Sequence, residues 1–208
     1  MSSVRTYSQH LLALILLGIS TVFSGCATPS RVVSPGPTYA GASSVERLMI
    51  YVFIDARPEY IHPAFRRTVE ENLAGAFGKA SVPSQQRWFL DTSEGQRLRQ
   101  DLKNRTLGNT TFVSIGRTIH ENLDAESSFK PSHRLVVFPK DTYKSGSGAI
   151  LDIKWDIVDA SSGNVEWSVY TRTPVLSKDM KDDEAAAAAR GLADTIIEEM
   201  KARSVLRR

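Results

Sequence analysis

Cysteine is nearly absent from this 208-residue chain, with Cys26 its single example. One cysteine excludes an internal disulfide and any zinc site built from cysteines. No apolar run reaches the roughly 20 residues that a helix needs to cross a bilayer core; the longest lies within residues 11–25. An excess of one charge is missing too. The 26 Lys and Arg stand against 23 Asp and Glu, a formal +3, far from the clustered basic surface of a nucleic-acid binder. No internal repeat is visible, and histidines number four. What remains, 41% hydrophobic and 24% charged, is the composition of one globular domain with extensions.

The first extension is an address. Met1 to His10 is polar with one fixed charge, Arg5, and the uncharged apolar run Leu11-Leu12-Ala13-Leu14-Ile15-Leu16-Leu17-Gly18-Ile19 follows it. These are the n-region and h-region of a secretory signal peptide over residues 1–25. Phe23-Ser24-Gly25-Cys26 then resembles the lipobox of bacterial lipoproteins, with Phe23 where leucine is favoured. That resemblance implies lipidation of Cys26, which becomes the new N-terminus. Each buried acyl CH₂ contributes about 0.8 kcal/mol, so several chains on one cysteine anchor durably. By the sorting pattern of Gram-negative lipoproteins, Ala27 after the cysteine implies the outer membrane.

Residues 27–44 are mostly Ala, Thr, Ser and Gly with Pro29, Pro35 and Pro37, and hold little that could pack. This composition predicts a flexible tether, so that residues 26–44 form a lipidated N-terminus and linker. The alternative is an arm that packs on the domain through Val32, Val33 and Tyr39. Residues 45–208 then form a single globular domain.

Within it, Arg47 to Ile54 reads as a strand covered on both faces. Ile61, Phe65, Val69, Leu73, Ala76 and Phe77 recur at helical spacing after Pro63, predicting an amphipathic helix to about Gly78. Gln85 to Leu90 suggests a strand, and Ser93 with Gln96 a capping box opening a second helix. Phe112 to Ile115 is strand-like, and residues 121–130 are polar. Arg134 to Phe138 predicts a strand ended by Pro139, with Ser145-Gly146-Ser147-Gly148 as a flexible connection. Leu151, Ile153, Trp155 and Ile157 alternate with polar neighbours, as do Val165, Trp167 and Val169. That is an antiparallel hairpin with one wet face. Asp182, Asp183 and Glu184 open a terminal helix that closes in Lys201 and Arg203, in accord with the helix dipole. The expected fold is α+β: a mixed sheet of four to five strands, two to three helices, and a C-terminal hairpin followed by a terminal helix.

The turn Asp159-Ala160-Ser161-Ser162-Gly163-Asn164-Val165-Glu166-Trp167 carries a second resemblance. Asp, two residues, Ser-Gly, three residues, Trp is similar to a hairpin of small Gram-negative lipoproteins. Their group includes the curli-secretion, Pel-export and peptidoglycan-synthase-activator lipoproteins, whose domains resemble the N-terminal domain of TolB. The residues themselves suggest a structural role: Asp159 and Ser162 bond turn amides, Gly163 takes positive φ, and Trp167 fills the core.

Chemistry is sparse. His120-Glu121 lacks the second histidine of a zinc protease, since Asp124 stands in its place. Ser114 lacks the elbow glycine two residues before it, and Gly75 to Lys79 has neither the spacing nor the setting of a phosphate loop. Asp55, after a buried strand, is the carboxylate placed most like an active-site residue, with capping its ordinary use. Asp152, Asp156 and Glu166 share a wet face with Lys154, which argues for solvation rather than cation binding. Arg97, Arg99, Lys103 and Arg105 form a basic face suited to solvent or to anionic headgroups. The expectation is therefore no enzyme, no cofactor and no metal, and no nucleic-acid partner. It is a periplasmic lipoprotein, held at the outer membrane through acylated Cys26, that serves as a binding or assembly accessory to an envelope protein or glycan. The alternative is a homo-oligomeric ring component of an export apparatus.

Overall fold

The computed structural model describes residues 30–41, 44–54, 62–91, 95, 119, 123–145, 148–175 and 180–206. Its strands are β1 (Arg31–Ser34), β2 (Leu48–Val52), β3 (Ser84–Trp88), β4 (His133–Ser145), β5 (Gly148–Asp159) and β6 (Val165–Val175). Its helices are α1 (Pro63–Lys79), α2 (Leu123–Phe129) and α3 (Asp182–Ala202). All six strands form one sheet in the order β1-β6-β5-β4-β2-β3, parallel across β3, β2 and β4 and antiparallel elsewhere. The α+β class and the closing hairpin and helix are as expected; the strand count is larger.

The reason for each element is local. β2 is buried along its whole length because it sits between two parallel neighbours with a helix on each face, so its run of apolar residues has no wet side. α1 is the crossover that parallel pairing of β2 and β3 requires. It starts with Pro63 and buries Phe65, Val69, Leu73 and Phe77. α3 lies beside α1 and buries a stripe of Ala185, Ala189, Leu192, Ile196 and Met200. Those stripes meet Leu48, Ile50, Val52, Leu135, Val137, Ile153, Trp155, Ile157, Trp167 and Val169 in the larger core. On the opposite face Met49, Tyr51, Phe53, Val136 and Phe138 form a smaller core with Phe129 of α2.

Four expectations are corrected. The strand predicted to stop at Pro139 runs on to Ser145. β2 ends at Val52, opposite Val137, so Pro139 lies where β4 has become an edge and its missing N–H costs no pairing; the register then slips, leaving Lys140 unmatched. The expected flexible connection is narrower, since Ser145 pairs with Gly148 as the last rung. Residues 121–130, read only as polar, contain α2. Fourth, the stretch expected to be a loose tether contains β1, which pairs antiparallel with β6. The capping box at Ser93 and Gln96, the strand at 112–115, the basic face of 97–105, Asp55, His120 and Cys26 lie outside the described residues.

Candidate functional site

The N-terminal arm, residues 30–41, lies along β6 and α3 and is pinned at every few residues. The Ser30 carbonyl accepts from the Thr195 hydroxyl at 3.3 Å, and the Gly36 amide donates to Glu199 Oε1 at 3.1 Å. Trp167 Nε1 donates to the Pro37 carbonyl at 3.0 Å, and the Tyr39 amide to the Arg203 carbonyl at 2.7 Å. Two glycines make this approach possible. A Cβ on Gly36 would run into the Trp167 ring, and one on Gly41 into the Tyr39 hydroxyl and the Glu166 carboxylate.

The arm ends on a polar node. Tyr39 donates its hydroxyl to Glu166 Oε2 at 2.5 Å, and His133 Nε2 stands 3.1 Å from the same oxygen and 3.0 Å from the Tyr39 oxygen. Because a carboxylate only accepts, the Nε2 atom must carry a proton to bond it. His133 Nδ1 meets Ser132 Oγ at 3.0 Å, and Ser132 Oγ in turn receives the amides of Glu46 and Arg47. His133 is fully buried. Burial first, and then the bond to Glu166, push the Tyr39 hydroxyl well above the usual tyrosine range.

Backbone geometry explains why these groups meet. His133 has the parity of Leu135 and Val137 in β4, which points it at the larger core. In β6, Trp167 pairs with Ile157 and Val165 with Val158, so Glu166 is an extra, unmatched residue. Such a bulge turns a side chain off its alternating face and brings Glu166 to the side of His133 and Tyr39. It also explains a second correction to the alternation. Val165, read as inward, is 56% exposed.

Next to the node, the Asp159 carboxylate accepts from the Ser161 amide and hydroxyl and the Ser162 amide, at 3.1, 2.6 and 2.6 Å. These donors, the Ser161 hydroxyl foremost, hold it well below the usual carboxylate range. Gly163 follows at φ +74°, and the buried Trp167 completes the turn as its residues implied. One ligand atom each from His133, Asp159 and Glu166 lies within 4.8 Å of the others, a nitrogen and two oxygens that suit a zinc-type ion. In the structure those atoms are already engaged, Glu166 by Tyr39 and His133, and Asp159 by its serine donors. The arrangement fastens the arm: it joins residues of the arm, β4 and β6.

The carboxylates that alternation placed on one wet face are divided. Glu166 joins the node, while Asp152 takes Arg172 in a two-point pair at 2.7 and 2.8 Å. Asp156 takes Lys154 at 2.8 Å and the Ser168 hydroxyl at 2.6 Å. Both aspartates are buried, under the long cationic side chains that cover them. His62 caps α1 by accepting the Ala64 amide at 3.2 Å. Sequence reasoning missed the node as a site. One signal was available, the position of His133 two residues before Leu135 on the inward parity.

No family model matches this chain, and no curated protein does. Among solved structures, the PelC dodecamer from Paraburkholderia phytofirmans is 12% identical, over 80% of this chain and 95% of that one, with a TM-score of 0.38. Lipoprotein GNA1162 from Neisseria meningitidis is 10% identical, over 74% and 99%, at a TM-score of 0.37. Protein XCC0632 from Xanthomonas campestris is 12% identical, over 83% and 89%, at 0.39.

Proposed function

We propose that this chain is an outer-membrane lipoprotein of the periplasm, anchored through acylated Cys26, whose domain is a non-enzymatic binding or assembly accessory for another envelope component. The observation that carries the reading is Phe23-Ser24-Gly25-Cys26, set directly behind a short apolar run. The structure supports it from the other side. Among the described residues no helix is long and apolar enough to cross a membrane. The polar node also fits, because its groups hold the arm that leads to Cys26.

The test is the state of Cys26. Intact-mass analysis of the mature protein should find an acylated N-terminal cysteine; globomycin should leave the precursor uncleaved, and Cys26→Ala should leave it uncleaved and unacylated. A mature chain that carries no acyl group and fractionates with soluble periplasmic proteins would overturn the reading.

A further inference from the structure

The docked arm has a direction. Ser30 bonds Thr195, Gly36 bonds Glu199 and Tyr39 bonds Arg203. Traced backward from Tyr39 to Ser30, the chain therefore runs toward the start of α3. β1 agrees, since Arg31 sits opposite Arg172, near the Val175 end of β6. At that end of the domain lie the last rung of the β4–β5 pair, Ser145 with Gly148, and the N-termini of α1 and α3, the two helices joined there by His62 Nε2 and Asp182 Oδ1 at 3.4 Å. The opposite end carries the turn between Asp159 and Asn164 and the close of α3.

Cys26 is followed by Ala27 to Ser30 before β1 begins at Arg31. A stretch that short spans at most about 18 Å when fully extended. We propose that the docked arm is a short leash that turns the end bearing the α1 and α3 N-termini toward the phospholipid headgroups. This rests on the acylation of Cys26 proposed above. The length of chain outside the structure, and the place where it ends, carry the argument. With the arm undocked back to Val45, the free chain would reach about 68 Å at full stretch, and the domain would lose any fixed orientation. With it docked, the two ends of the domain differ in height by about the 30 Å length of α3. The Ser162 end then faces away from the bilayer.

The experiment uses the full lipidated protein in vesicles of phosphatidylethanolamine and phosphatidylglycerol carrying a headgroup-linked energy acceptor. A donor dye is placed at Asp183→Cys or at Ser162→Cys, both exposed positions. Strong transfer from position 183 and weak transfer from position 162 is the expected result. Gly36→Val, which drives a side chain into Trp167, should erase the difference while the protein still floats with the vesicles. An inserted Gly-Ser segment of about twenty residues between Pro29 and Ser30, which leaves the fold untouched, should do the same by lengthening the leash. Equal transfer from the two ends of the parent protein overturns the leash alone. So does a difference that survives the insertion. A protein that does not float with the vesicles overturns the anchor and the leash together.

Discussion

The Tyr39 hydroxyl and the Glu166 carboxylate, 127 positions apart in the chain, meet at 2.5 Å. A hydrogen bond to a charged acceptor contributes about 1.5–3 kcal/mol when its loss leaves the charge short of a partner. Tyr39→Phe should therefore cost about 2 kcal/mol in urea unfolding of the unlipidated chain. It should also speed protease cleavage within residues 30–41 far more than cleavage elsewhere. A double-mutant cycle with Glu166→Ala should return a coupling between the two side chains, and additivity of the two changes would show that the bond contributes nothing.

Alkaline pH should weaken the fold through two tyrosines. Tyr51, like Tyr39, is pushed upward by burial and then by a carboxylate, here Glu126 at 2.6 Å. Above about pH 10 the unfolded chain loses these protons and the folded chain keeps them. The folded state then binds more protons, and stability falls with rising pH. Unfolding followed from pH 9 to 11 should show a decline that is shallower in Tyr39→Phe than in the parent protein.

Arg134 holds Glu126 in a two-point pair at 2.8 and 2.7 Å, and Glu126, a residue of α2, is buried. Breaking a buried pair from one side leaves a stranded charge and costs about 3–5 kcal/mol. Arg134→Met alone should show that loss in calorimetry. Arg134→Met with Glu126→Leu and Tyr51→Phe, which removes the Tyr51 hydroxyl that would otherwise lose its acceptor, should recover most of it.

The closing turn of the hairpin offers a smaller effect. Gly163 stands at φ +74° with open space where a Cβ would sit, so Gly163→Ala meets backbone strain without a clash. The expected cost is about 1 kcal/mol, read as a lower melting temperature. Asp159, held ionised by its serine donors, adds stability that is complete above its unfolded value near 4 and is lost as the pH drops through its lower folded value. Asp159→Asn should flatten that acid limb.

What could be read from the chain was what is encoded within one element. Phe65 to Phe77 shows its helix by spacing, Leu151 to Ile157 its strand by alternation, and β2 its double burial by an unbroken apolar run. β1 was hidden because Val32 and Val33 sit among prolines, glycines and serines, and only the waiting edge of β6 makes them a strand. α2 was hidden by its seven-residue length and its serines. The node of Tyr39, His133 and Glu166 draws on three distant segments, and one of its members is aimed by a bulge that breaks the very alternation used to read β6. A pattern based on period two had to misplace Val165 for the same reason.

β1 has one more consequence, which concerns solubility rather than attachment. An uncovered strand edge offers unpaired N–H and C=O groups to any extended chain nearby. The arm lies over part of β6 and occupies the pairing positions at Tyr170, Thr171 and Arg172. Strip the arm away, and an eleven-residue strand becomes a template for a neighbour's backbone. A chain that begins at Val45 would carry that edge bare, and the same segment that ties the domain down keeps its copies from stacking into aggregates.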